Sequence, residues 1–422
     1  MEYLKYSIED STIAELLGVQ NFSNDEAAVL ELVKNAYDAN ALVVTLEFID
    51  KTTLKITDNG DGMDSEDIKK HWMHIGKSNK GYDFIDINNN VRVQAGEKGV
   101  GRFALSRLGK NIQLYSKKAQ KNGVVWKTDW NKSTLDSDSS IENKGTCIVI
   151  NNLREKWTPK RIEKLNKYLE RTYNDTAMKI RIIANEYDEF VKLHFPKPEP
   201  GKNCRANILL KYNKGILTVS VLSDEFNSEA IKYCPEIDLN TYNSEVNIFD
   251  EFEGNEISEM GGEELFSELE KLGRFSANLL FNFNATKQDK EKFLYKYLST
   301  DESVDSGVIL YRNAFSISSF EGEKDWLGLG KRTRKSPAAA SHPTGAWRVR
   351  ENQVSGYVLI DKQQNIVLQD LMNRQGLDEN IYYKLFVQII LTGIKEFERY
   401  RQKIIRKINE KNRGEEELIK KI

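Results

Sequence analysis

Three short segments, met in a fixed order, leave this 422-residue chain few folds to choose from. Residues 23–40, SNDEAAVLELVKNAYDAN, place Ala27, Leu30, Val33 and Tyr37 at helical spacing, and Ser23 with Glu26 three residues on predicts a capping-box start. Strands follow at 43–49 and 53–58, the second running into Asp58-Asn-Gly60-Asp-Gly62-Met63. After a helix near 64–74 and a polar, Asn-rich stretch, the turn Gly96-Glu-Lys-Gly99-Val100-Gly101-Arg102-Phe103 opens another helix, and strands near 111–117 and at 145–153 complete an α/β layer. A dinucleotide fingerprint needs its strand before its glycines, and here the helix comes first. GKS at 76–78 imitates a P-loop ending, but His71 stands where the first P-loop glycine belongs, so no Walker A is present.

Glu31, Asn35 and Asp38 fall at i, i+4 and i+7 and share one helix face, bringing together two carboxylates and an amide. A carboxylate can take a proton from an attacking water, and an amide oxygen can complete the shell of a Mg²⁺ ion that keeps most of its waters. Read alone, the same pattern is a solvated helix face. Asp58 can accept a hydrogen bond from a purine amine, with Gly60 and Gly62 admitting a flat base to the backbone. Alone, this is an ordinary turn or a calcium loop, and the calcium loop fails because Lys69 stands where its twelfth-position glutamate should be. The turn at 96–103 suits an anion facing backbone N–H groups at a helix start.

The order helix, DNGDGM strand, polar loop, glycine turn, Gly145-Thr146 strand resembles the four-box pattern of the Bergerat, or GHKL, ATP-binding fold of gyrase, heat-shock chaperones, histidine kinases and MutL, over residues 20–155. The resemblance implies ATP and Mg²⁺ as cofactors and ATP hydrolysis as the activity. It makes Glu31 the general base, Asn35 the Mg²⁺ ligand and Asp58 the adenine reader, with Thr146 supporting Asp58. Asp38 belongs to the nucleotide site. Gly60, Gly62 and Met63 pack along the base, Gly76 and Ser78 begin a lid over 76–98, and Gly99, Val100, Gly101, Arg102 and Phe103 hold the phosphates.

The expected architecture is α/β throughout: an ATP-binding domain over 1–195 with a strap at 1–22, a linker at 196–201, a second α/β domain over 200–395 and a charged helical tail over 396–422. In the second domain a hairpin turns around Asn213–Gly215, helices are expected near 261–281 and 287–297, and strands at 308–315 and 356–361 flank a basic, disordered-looking surface loop, 331–350. This domain resembles the transducer that follows the same pocket in MutL, gyrase, microrchidia ATPases and heat-shock chaperones, and DLMNRQGL at 370–377 makes Arg374 the expected γ-phosphate sensor.

Sixty-two basic against sixty-four acidic side chains, net −2, give no whole-chain electrostatic argument for nucleic acid or membrane. Three separated cysteines exclude a cysteine zinc site, and no apolar run spans a bilayer, so a cytoplasmic protein is expected. The resulting expectation is an ATPase switch that dimerises on ATP and acts on a protein or nucleic-acid partner, with DNA maintenance or antiviral defence as context. A nucleotide-gated binding module without turnover is the alternative. A histidine kinase fits less well, since no histidine precedes His71. His71 and His74 lack the further ligands of a metal site.

Overall fold

The computed structural model describes residues 9–22, 24–75, 83–85, 91–96, 101–252, 262–300, 302, 307–336, 338–342, 345–371 and 376–419. The chain divides into two compact units, Met1–His194 and Phe195–Ile422.

The first unit opens with α1 (Asp10–Ala14), which continues as a wide turn, Glu15–Val19. The long helix α2 spans Asp25–Asp38. Its cap is Asn24, whose Oδ1 accepts from Ala27 N at 2.7 Å, so the helix starts later than the expected capping box at Ser23, a residue outside those described. Strands β1 (Val43–Phe48) and β2 (Leu54–Asp58) follow. The helix expected near 64–74 is one turn, α3 (Ser65–Asp67), started by an Asp64 capping box and continued by a wide turn at Ile68–Trp72. Then come the short pair β3 (Asp83–Ile85) and β4 (Val91–Val93), helix α4 (Ala104–Leu108), and β5 (Gly109–Lys117), β6 (Gly123–Thr128), β7 (Ser133–Asp138) and β8 (Gly145–Leu153). Helix α5 (Pro159–Thr172) and strands β9 (Lys179–Ala184) and β10 (Tyr187–Phe190) close the unit. The chain turns between β9 and β10 at Asn185, in the left-handed region.

Eight strands form one sheet in the order β10-β9-β1-β2-β8-β5-β6-β7, antiparallel except for β1 beside β9. On one face, register stacks Phe48, Leu54, Ile150 and Ile112 in one row and Leu46, Ile56, Ile148 and Leu114 in the next. All eight are buried, as are Val29, Leu32, Val33 and Ala36 of α2 and Ile162, Leu165 and Leu169 of α5. The third row changes character: Val44, Asp58, Thr146 and Ser116 stand abreast, so the apolar core gives way to polar groups at one end of the sheet.

The second unit is a seven-stranded sheet, β11 (Ala206–Asn213), β12 (Ile216–Ser223), β13 (Thr241–Asn247), β14 (Phe275–Phe281), β15 (Gly307–Arg312), β16 (Phe315–Glu321) and β17 (Val354–Ile360), in the order β13-β12-β11-β14-β17-β15-β16. Its helices are α6 (Ile248–Phe252), α7 (Gly262–Lys271), α8 (Lys287–Phe293), α9 (Leu329–Lys335) and α10 (Ile381–Ile419). Four expectations are corrected here. The helix near 261–281 ends at Lys271 and its second half is β14. The strand at 308–315 breaks at Asn313, in the left-handed region, into β15 and β16. The basic segment 331–350 begins inside α9, and Arg332 and Arg348 both bond the buried Glu398, at 3.0 and 3.2 Å. The charged helical tail expected over 396–422 is no separate tail, because α10 begins at Ile381, runs through Gly414 and buries Phe397, Tyr400, Ile404, Ile405 and Ile408 in the core.

Candidate ATP site

Helix α2 and the turn Gly101–Phe103 approach each other closely. A Cβ built on Gly101 would stand 3.1 Å from Glu31 Oε2 and 3.6 Å from Asn35 Oδ1, so the expected base and the expected Mg²⁺ ligand converge beside a residue with no side chain. A carboxylate and an amide oxygen next to bare backbone fit a hard cation that takes one or two protein oxygens and the rest from phosphate and water. Glu31 Oε1 also holds Lys34 Nζ at 2.8 Å.

At the sheet end of the site, Gly60 N donates to Asp58 Oδ1 at 2.8 Å. Withdrawal of the Asp58 carboxyl from water is the largest influence on it and pushes its pKa from the usual 3.8 up to about 6, against the pull of hydrogen bonds from Gly60 and Thr146 backbone. Ser116 links the neighbouring groups: its hydroxyl accepts from Met63 N at 2.8 Å, lies 2.9 Å from Thr146 Oγ1 and donates to Gly145 O at 3.0 Å. Asn59 Oδ1 accepts from Leu42 N and Val43 N, tying the DNGDGM turn to the chain leaving α2.

The glycines serve this backbone packing directly. A Cβ on Gly60 would lie 2.4 Å from Ala39 O, and Gly62, at φ +68°, would place one 2.0 Å from Lys117 O. They let the turn press against the end of α2 and against β5, which is how the Asp58 carboxyl comes to be held beside Thr146.

Asp38, Arg92 and Arg102 secure the residues on either side of 76–90. Asp38 accepts from Ala95 N at 2.7 Å and Gly96 N at 2.9 Å. The buried Arg92 donates to Ala41 O and Ala177 O, both at 2.7 Å, over the Tyr37 ring. Arg102, expected to hold phosphate, donates to His71 O at 2.8 Å and His74 O at 2.7 Å and lies over the Trp72 ring, where burial lowers its pKa to about 10. The two histidines therefore contribute carbonyls to this arrangement. Phe103 lies 6.4 Å, centroid to centroid, from Trp130.

Thus Glu31, Asn35 and Gly101 come together, and Asp58, Gly60, Gly62, Met63 and Thr146 form the polar end of the sheet face. Asp38 and Arg102 are engaged with backbone groups. Gly76, Ser78, Gly99, Val100 and Arg374 lie outside the described residues. Sequence reasoning missed Ser116, Asn59, Lys34 and Arg92. The place of Ser116 follows only from cross-strand register, whereas Lys34 could have been read from its i,i+3 spacing to Glu31.

Residues 22–157 match the family model of histidine kinase-, DNA gyrase B- and HSP90-like ATPases. Residues 22–157 are thus a GHKL-type ATPase domain. Curated relatives of the GHKL domain include the chaperone protein HtpG of Campylobacter jejuni (strain 81-176), 29% identical over 35% of this chain and 28% of that protein. The mitochondrial TNF receptor-associated protein 1 homolog of Dictyostelium discoideum is 27% identical over 35% of this chain and 24% of its own length. HtpG of Borreliella burgdorferi is 27% identical over 34% and 24%. The chain thus spans less than a third of the length of these relatives. Among the described residues, no helix is long and apolar enough to cross a membrane.

Proposed function

We propose that the GHKL domain binds Mg²⁺-ATP between α2 and the Asp58–Thr146–Ser116 end of the sheet and hydrolyses it as a conformational switch in a dimer. The observation that carries this reading is the convergence of Glu31 and Asn35 on Gly101 at one end of a site whose other end holds the Asp58 carboxyl. Asp58 accepts the adenine amine and Met63 flanks the base. The backbone at Gly101 faces the phosphates, and Glu31 takes the proton of the attacking water. Asn35 would hold Mg²⁺, which supplies neutralisation of the charge developing on the phosphates. Two of the relatives are named as chaperones, which supports a protein client.

The test is Mg²⁺-dependent phosphate release by wild type and Glu31→Ala over a range of protein concentrations. Positioned general bases contribute about 10²–10⁴-fold, so the variant should lose turnover while still binding ATP. Wild-type specific activity should rise with concentration if the dimer is the active form. Normal turnover in Glu31→Ala removes the base assignment. A second reading, nucleotide-gated binding without turnover, is favoured by the ion pair of Lys34 Nζ with Glu31 Oε1 at 2.8 Å, which competes with an attacking water for that carboxylate oxygen. ATP binding with no phosphate release by wild type at any concentration would select it.

A further inference from the structure

The ATP site leaves the basic segment 331–350 unused, and the second unit folds much of it around a cavity of about 400 Å³. Four aromatic rings, Phe283, Phe293, Tyr295 and Trp347, stand in its wall, and Arg348, Arg350 and Arg401 line it too.

The arginines are built into the fold. Arg401 is bonded by Nε at 3.0 Å and Nη2 at 2.6 Å to Glu225, and by Nη2 at 3.1 Å to Tyr295 Oη. Its guanidinium lies 4.6 Å from the Trp347 centroid, and among the described residues its Nη1 makes no hydrogen bond. Behind the wall, the fully buried Arg205 lies 4.0 Å from the Phe283 centroid. Its bonds go to the carbonyls of Phe283, Tyr297 and Leu298, and its Nη1 has no partner among the described residues. In and directly behind the wall, five arginines (205, 332, 348, 350, 401) face three carboxylates (Glu225, Asp289, Glu398), a surplus of two positive charges.

A ring-walled cavity with surplus positive charge selects a planar anion. Aromatic faces stack a heterocycle, and guanidinium forks match phosphate oxygens. Asn284 and Gln353 line the same wall; the Gln353 amide oxygen accepts from Arg350 N at 3.1 Å, which leaves its amide NH₂ and the Asn284 side chain to meet the edge of a base. An acidic peptide would use the arginines and leave the rings without a role. The volume lies within the range of small-ligand sites. We propose that this cavity binds a nucleobase joined to a phosphate, supplied either as a free mononucleotide or as an exposed nucleotide of a single strand. The proposal is independent of the ATP-site reading.

The experiment is a calorimetric titration of the full chain with UMP and, separately, with a short oligothymidylate. The variants are Phe293→Ala and Arg350→Ala, with circular dichroism to check folding. Loss of one stacking ring or one charge-assisted phosphate contact should weaken binding about tenfold or more. Arg350→Glu, at an exposed position, keeps the test open should Phe293→Ala fail to fold. Binding of UMP identifies a mononucleotide site, and binding of the oligomer alone identifies a strand as the source; either supports the proposal. Repeating the titration on Asp58→Asn separates the two sites, since binding lost there would place the ligand in the ATP pocket and overturn the assignment. Failure of both probes to bind overturns it too, as does affinity unchanged in both Phe293→Ala and Arg350→Ala.

Discussion

Asp58 ends an apolar strand with a carboxyl that the fold withdraws from water, and its pKa of about 6 gives the site a pH signature. Because the native pKa lies above the usual 3.8, the folded chain keeps this proton between those two values while an unfolded chain has released it. The contribution of Asp58 to stability is therefore largest below about pH 4 and is lost as pH rises through about 6. Under the proposed adenine role of Asp58, nucleotide binding runs the other way, since an adenine amine needs the ionised acceptor. Between pH 7 and pH 5 the ionised fraction falls about tenfold for a group titrating near 6, so ADP affinity should fall about tenfold more in wild type than in Asp58→Asn. Parallel calorimetric titrations check this, and identical pH profiles in the two proteins would remove Asp58 from adenine recognition. The turn after Asp58 was legible in the sequence as a strand end followed by two alternating glycines, but alone that pattern is an ordinary turn, and only the order of the other motifs pointed to a nucleotide. Ser116 was not, because a serine inside a strand announces nothing until β5 and β8 are laid in register.

Among the elements, α2 positions the site from one face, and its last turn does something the pattern of polar residues did not show. Asp38 shares a face with Glu31 and Asn35, which made it a nucleotide contact on the page; in the fold both carboxylate oxygens accept backbone N–H groups, from Ala95 and Gly96. Hydrogen bonds to a charged acceptor contribute about 1.5–3 kcal/mol each. Asp38→Ala should therefore destabilise the first unit by about that amount or more and speed amide exchange at Ala95 and Gly96. If exchange there and the melting temperature stay at wild-type values, Asp38 does not hold the 95–96 backbone and a direct role at the nucleotide is the better reading. Elements with strong local signals, α2, β1, β2 and β8, were readable to within about two residues. The strand β14 was misread as helix because FSANLLF follows α7 after only Leu272, Gly273 and Arg274, although Phe275, Ala277, Leu279 and Phe281 alternate inward as a strand requires.

At the scale of the molecule, each unit carries its own core, and the second is closed by α10. The charge of EFERYRQKIIRKINEKN made 396–422 look like an appendage, yet the same letters hold Phe397, Tyr400, Ile404, Ile405 and Ile408 on one helical stripe. Phe397 packs 5.0 Å from Phe281, and Tyr400 stacks 4.9 Å from Tyr242. The polar residues of this stretch are also committed inward: Glu398 receives Arg332 and Arg348, and Arg401 neutralises Glu225, whose side chain is 1% exposed. Ending the chain after Lys395 would delete five buried apolar side chains, each a loss of about 2–5 kcal/mol, and would strand a buried carboxylate at about 3–5 kcal/mol. Their sum, about 13–30 kcal/mol, reaches or exceeds the roughly 5–15 kcal/mol that holds a domain together, so the second unit should not fold. Scanning calorimetry of the two chain lengths should show the heat absorption of that unit missing from the shorter one. An unchanged trace would mean that α10 beyond Lys395 is dispensable and that its burial contributes nothing to the core.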